Sequence, residues 1–261
     1  MKIIPFGTNG FFPSFNRQTA CYVISYGKIL IILDAGSGLF RFSEPTGLKL
    51  LNTASEIHLF LSHYHLDHTF GFYAAFELFK NKKVYVYAMR GPQIFSEMIT
   101  VNDFSKKFIK KYPNFNWKTV KAGDINLDGY NVRIREQNHR NEKSLAYRME
   151  FPDGKSVAYV TDGEAIRASV NFVLGVKLLL HEYIPSRNKI SAELKLEDSF
   201  EGGHVTTAGA ALIAKEAKVG RLFLIHSHAF YAKNKLIQQL KFARKIFKES
   251  YLAMDLKEIE F

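Results

Sequence analysis

The segment Ser62-His63-Tyr64-His65-Leu66-Asp67-His68 places three imidazoles and a carboxylate within seven residues. These groups suit zinc, manganese or iron. A loop leaving a strand can aim alternate side chains at one point, so His63 and His65 can reach one cation. Asp67 and His68 can then reach a second a few ångströms away. With nine His and nine Asp among 261 residues, an H-x-H-x-D-H string arises by chance in roughly one such chain in three thousand. A solvated polar loop would leave the charge such a cluster can acquire without a partner. Of the other histidines, His58 alternates with apolar neighbours inside a strand and reads as structural.

The elements around the segment must hold it. Residues 21–26 and 28–33 are β-rich runs that meet at Gly27 as a hairpin. Residues 34–38 form a Gly-rich loop, and the 56–61 strand delivers the chain to Ser62 and His63. Residues 70–79 read as a helix, 84–88 as a strand and 92–103 as a helix. Strands follow at 132–137, 145–151 and 156–161, with Asp153-Gly154 as the turn between the last two. The 178–182 run is a buried strand. A helix spans 206–217, with threonines at its start for capping. Residues 221–226 form another strand. Residues 233–250 predict an amphipathic helix, with Leu236, Leu240, Ala243 and Phe247 on one face. Strands mostly precede helices in each half, which suggests two packed sheets with helices outside.

Composition narrows the class. Apolar residues make up 47% and charged residues 23%, a balance that excludes disorder and a collagen-like chain. With no repeat or linker-like stretch, residues 1–261 read as a single domain. Cys21, the one cysteine, excludes an internal disulfide framework and a Cys-rich zinc module. The start lacks a signal-peptide pattern, and the apolar runs are of strand length, far below a membrane span. The expectation is a cytoplasmic protein with no membrane partner. A formal charge of +11 favours anionic partners.

The 62–68 segment resembles the signature of the metallo-β-lactamase superfamily, and further motifs follow in order along nearly the whole chain. Leu33-Asp34-Ala35-Gly36-Ser37-Gly38 is similar to the first motif. Asn138-His139 resembles the third, Val157 to Asp162 the fourth, and Leu222 to His226 the fifth. The resemblance implies an α/β fold, a four-layer αββα sandwich with a two-metal site. It implies that His63, His65 and His139 hold one divalent ion and Asp67, His68 and His226 the other. Asp162 and a water or hydroxide would bridge them. Zinc is the first expectation, with manganese and iron as alternatives. The ligand Asp162 argues against the β-lactamases of this superfamily that use a Cys, and Cys21 lies too early in the chain for that role.

Gly202-Gly203-His204-Val205-Thr206 resembles the G-H-[ST] element of the superfamily's phosphodiesterases and tRNA 3′-end nucleases. By that resemblance His204 assists at the phosphate, where a His can protonate a leaving oxygen. Asp67 and His204 are thus the catalytic candidates. Asp34, His181 and His228 are expected beside the metals or the substrate, with Asp34 hydrogen-bonding the metal loop. Only 23 positions separate His139 from Asp162. The tRNA-processing branch of bacteria and archaea carries a long arm in this interval, so tRNA maturation is disfavoured.

The layout is closer to the small phosphodiesterases, which include the phosphonate-pathway enzyme that opens cyclic ribose phosphates. That enzyme's Cys-rich structural zinc has no counterpart here. The expected activity is therefore hydrolysis of a nucleotide-like or cyclic phosphodiester. The alternatives are an armless tRNase Z-like ribonuclease, a lactone or thioester hydrolase on the same site, and a metal-retaining binding protein. Lys106, Lys107, Lys110 and Lys111, interleaved with Phe104, Phe108 and Tyr112, could form a nucleic-acid face or a solvated helix face. Nucleic acid is not required as a partner, and a homodimer is left open.

Overall fold

The computed structural model describes residues 1–91, 115–186 and 194–261. The chain forms two compact units, Met1–Lys121 with Asp255–Glu260, and Ala122–Met254 with Phe261. The helix expected over 92–103 and the Lys106–Lys111 cluster lie outside the described residues.

The first unit is built on a seven-stranded sheet. Its order is Ile259–Glu260, Lys2–Gly7, Cys21–Tyr26, Ile29–Leu33, Glu56–Phe60, Lys83–Ala88 and Phe115–Thr119. The first four strands pair antiparallel, and Gly27 takes the hairpin turn at φ +58°. From Ile29–Leu33 onward the pairings are parallel. Ile57 and Leu59 join Leu39, Phe42, Phe72 and Phe79 in the core, while His58 and Phe60, which alternate with them, are also buried. Burial on both faces is typical of parallel strands. Cys21 is buried in the same core, which pushes its thiol pKa well up. His58 is structural, as expected, and its Nε2 lies 2.6 Å from Glu56 Oε1.

The second unit carries another seven-stranded sheet. Its order is Ser250–Leu252, Arg221–Ile225, Leu178–Glu182, Ser156–Val160, Glu142–Glu150, Tyr130–His139 and Gly123–Leu127. The first four strands are parallel and the last four form an antiparallel meander. Ala158, Val160, Leu179, Leu222 and Leu224 pack with Ala210, Ile213 and Ala214 of the Thr207–Glu216 helix. Thr206 caps that helix by accepting from the Gly209 N–H. Between His139 and Asp162 lie only the Glu142–Glu150 and Ser156–Val160 strands and the turn at Gly154.

Three local expectations change. The last helix is Lys233–Ile246 and stops before residue 250. Phe247 is already extended, and Ser250–Leu252 joins the sheet parallel to residues 222–224. The Gly-rich loop at 34–38 passes at Ser37 into a 3-10 helix, Ser37–Ser43. Asp67 and His68 sit on a short helical turn, Leu66–Thr69. Among the described residues no helix is long and apolar enough to cross a membrane.

Candidate metal centre

In both units several of the candidate residues lie where parallel strands end. Such strand ends carry ligand sites in open α/β sheets. Asp34 follows Ile29–Leu33, Asp162 lies just beyond Ser156–Val160, and His226 follows Arg221–Ile225. All three adopt left-handed backbone, at φ +60°, +48° and +60°. Such a conformation costs an L-residue about 1–2 kcal/mol. Strain of this kind gathers where geometry serves a site.

In the first unit Asp34 organises the histidine segment. Its Oδ1 accepts from the Ser62 N–H at 2.7 Å. Its Oδ2 accepts from Ser62 Oγ and from His68 Nδ1, each at 2.7 Å. Asp34 and His68 are fully buried. The Ser62 hydroxyl gives its proton to Asp34, so it accepts from His63 Nδ1 at 3.0 Å. Both rings therefore carry their proton on Nδ1 and present Nε2 as a lone pair. This is how outer partners set a ligand imidazole. The His63 ring centroid lies 4.5 Å from that of His65 and 4.2 Å from that of His68. Asp67 Oδ2 accepts from the Phe11 N–H at 2.6 Å and lies 3.4 Å from His68 Nε2.

In the second unit Asp162 is the hub. Its Oδ1 lies 3.7 Å from His139 Nε2, and its Oδ2 lies 3.4 Å from His226 Nε2. Each carboxylate oxygen thus faces a different imidazole. Thr161 Oγ1 donates to Oδ2, and Ser144 Oγ donates to the Asp162 carbonyl, both at 2.5 Å. His139 Nδ1 donates to Gly203 O at 2.7 Å, which again frees Nε2.

These separations test whether the donors fit a cation. Ligand atoms about 2.0–2.1 Å from a tetrahedral ion sit about 3.3–3.4 Å from one another. The spacings of 3.4 and 3.7 Å are long for hydrogen bonds and close to that edge length. In the second unit Asp162, Glu182, His204 and His226 also offer ligand atoms within 4.8 Å of one another. With the Nδ1 atoms of His63, His68 and His139 already engaged, the donor set fits divalent metals.

Glu182 is the functional residue that sequence reasoning missed. It is fully buried at the end of the Leu178–Glu182 strand. Its Oε1 accepts from the Gly163 N–H at 2.9 Å, and its Oε2 accepts from His204 Nδ1 at 2.8 Å. The one available signal was the His181-Glu182 pair closing an apolar strand. His204 Nδ1 also lies 3.4 Å from Asp162 Oδ1. Burial lowers the His204 pKa. The Glu182 charge and hydrogen bond, helped by Asp162, outweigh burial and the opposing charge of Arg140, and raise it to about 9.

His181 is fully buried, with Nδ1 2.8 Å from Glu182 O, and burial lowers its pKa. Its Nε2 has no hydrogen-bond partner among the described residues. His228 Nδ1 accepts from the Phe230 N–H at 3.2 Å, and its ring lies 5.4 Å from both Phe230 and Tyr231. Its pKa is lowered by partial burial and by the charges of Lys235 and His226.

The family described as the Beta-lactamase superfamily domain matches residues 30–227. Ribonuclease Z of Metallosphaera sedula is 26% identical over 98% of this chain and 97% of its own length. Among solved structures, the metallo-β-lactamase fold protein YhfI from Bacillus subtilis superposes with a TM-score of 0.74 at 19% identity, covering 100% of this chain and 98% of its own. A diphosphatase from the PhnP family gives a TM-score of 0.71 at 17% identity, covering 100% of this chain and 96% of its own.

Proposed function

This chain belongs to the metallo-β-lactamase superfamily and has its fold, and from its place among these metal-dependent hydrolases we propose that it is a phosphodiesterase. The substrate is a small anionic phosphodiester, nucleotide-like or cyclic. The activity is assigned to residues 1–261 as one catalytic domain. His63, His65 and His139 would hold one divalent ion, Asp67, His68 and His226 the other, and Asp162 would bridge them. Zinc suits this His/Asp set, as do manganese and iron. Bound there, the ions would supply an activated water and offset charge on the phosphoryl oxygens.

The observation that carries the phosphodiester reading is the Glu182–His204 pair, joined at 2.8 Å. With Nδ1 engaged, Nε2 is the position from which His204 can give a proton. A pKa raised to about 9 keeps the ring an imidazolium at neutral pH. Cations on Asp162 would draw that value down towards neutrality, the range that suits a general acid. A sugar alkoxide leaving phosphorus needs that proton, whereas a thiolate leaving a thioester does not. The likeness to Ribonuclease Z, a nuclease by name, points the same way.

An armless ribonuclease is the second reading. It is favoured by the Ribonuclease Z likeness and disfavoured for tRNA by the two plain strands that fill residues 140–161. Metal-loaded protein should be screened against bis-p-nitrophenyl phosphate, 2′,3′- and 3′,5′-cyclic nucleotides, short RNA, a lactone and a thioester. Turnover of the phosphodiesters alone is the expected result. Turnover confined to the lactone or thioester would overturn the reading.

A further inference from the structure

The helix Lys233–Ile246 is basic along its whole length. Residues 233–248 carry six Lys or Arg and no Asp or Glu, in a chain whose formal charge is +11. Lys233, Lys235, Lys241, Arg244, Lys245 and Lys248 are all exposed. None of them has an ion-pair partner among the described residues. Other cations of the same unit do. Arg133 pairs with Asp124 at 3.0 Å, and Lys155 and Arg167 pair with Asp153 and Glu216, each at 2.5 Å.

This helix gives up local stability to carry its charge. Ala232 supplies no side-chain cap, and the first turn holds no acid. Lys233 and Lys235 stand there instead, at the positive end of the helix dipole. Lys241 and Lys245 place like charges four residues apart, which is unfavourable as well. A sequence that breaks local rules without a gain in packing marks a functional surface. Lys233, Ile237, Lys241, Arg244 and Lys245 follow at helical spacing, so they form one stripe. At 1.5 Å per residue it runs about 18 Å along the axis. The other side is in use: Ala243 is buried, and Leu236 and Ile246 pack against the core. Ile237, 40% exposed, is the one large apolar side chain on the open side. A helix that lies in a membrane needs an open apolar face, and this one has none. At its entry Phe230 is 79% exposed, and Lys235 Nζ lies 4.3 Å above the Tyr231 ring.

We propose that the Lys233–Ile246 helix is a docking surface for unpaired nucleic acid, with the sugar–phosphate backbone along the cation stripe and a base against Phe230. A basic track beside an aromatic platform is the arrangement that holds single strands without reading their sequence. The inference goes beyond the phosphodiesterase reading and does not depend on it. The helix, not the metal centre, holds the strand, so binding is measured without turnover.

The test is fluorescence anisotropy on metal-loaded protein with labelled oligo(dT) of about 20 nucleotides, longer than the site of a typical single-strand module. With four or five phosphates held, affinity should fall with salt at a logarithmic slope of about −3. Lys233→Ala/Lys241→Ala/Lys245→Ala should weaken binding at low salt by about 10-fold or more and flatten the slope by about 2. Its urea midpoint should match or exceed that of wild type, since it relieves the first turn and the like-charge pair. Arg133→Ala/Lys155→Ala/Arg167→Ala removes as much charge from the same unit and should leave binding nearly intact. Phe230→Ala should weaken binding by about 10-fold at unchanged slope, as loss of a stacked base would. Wild type without salt-dependent binding would overturn the inference. So would equal losses in the two triple variants, the mark of net charge alone. Binding to phosphatidylserine vesicles with none to oligo(dT) would assign the face to a membrane and overturn it too.

Discussion

Replacing Glu182 by Gln tests the proton donor directly. The carboxylate is fully buried and accepts from His204 Nδ1 at 2.8 Å and from the Gly163 N–H at 2.9 Å. Gln keeps the shape and an acceptor for Gly163, but it removes the charge. His204 stands at about 9, against an ordinary histidine value of 6.5. At about 1.4 kcal/mol per pKa unit, the acidic surroundings favour the imidazolium by about 3 kcal/mol. Without Glu182 the largest remaining effect is burial, which lowers the His204 pKa against Asp162 alone. General-acid catalysis is worth about 10²–10⁴-fold. Glu182→Gln should therefore lose on the order of 100-fold in kcat on a 2′,3′-cyclic nucleotide, whose alkoxide needs the proton. Bis-p-nitrophenyl phosphate, whose phenolate leaves as the anion, should lose less than about 10-fold. Steady-state kinetics on both substrates, with metal content measured alongside, decides the matter. Equal losses on the two substrates at unchanged metal content would refute the acid role.

The remaining predictions concern the ligands and the fold. His68→Ala should lose bound metal and activity together, measured by elemental analysis and turnover. Full activity with a single ion bound would count against the two-metal assignment. Asp34→Ala strands the Ser62 donors and His68 Nδ1 in a fully buried site. It should lower metal affinity by about 10- to 100-fold and stability by about 3 kcal/mol or more, read by metal titration and urea melts. His58 has a pKa lowered by burial against the raising effect of Glu56. The folded state therefore binds its proton less readily than the unfolded chain. This contribution to stability is present above about pH 6.5 and is lost as pH falls through the lowered value. Urea midpoints at pH 7.5 and 5 should show a fall that shrinks in His58→Phe; an unchanged fall would assign the pH dependence to other groups.

The readable parts of this molecule were those whose signal is local. The histidine segment, the Gly27 hairpin, the Asp153-Gly154 turn and the Thr206 cap each announce themselves within a few residues, and all but the Leu66–Thr69 turn took the form expected. The Gly123–Leu127 strand has no buried residue to mark it in the sequence. The Ser250–Leu252 strand was hidden inside a helical pattern, because its pairing with residues 222–224 lies far away in the chain.

The amino-acid sequence by itself determined the family, the order of the motifs, the Asp, His and Glu types available to a metal and an acid, and the absence of an arm between His139 and Asp162. Those are properties of residue type and spacing. Only the tertiary structure decided that Glu182 is the partner of His204, that Gly203 O sets the tautomer of His139, and that Asp162 turns one oxygen to each of two imidazoles. Each of these joins groups 22 or more residues apart. Hydrogen-bond direction and strand-end geometry exist only once the sheet has formed, so residue type at a position cannot disclose them.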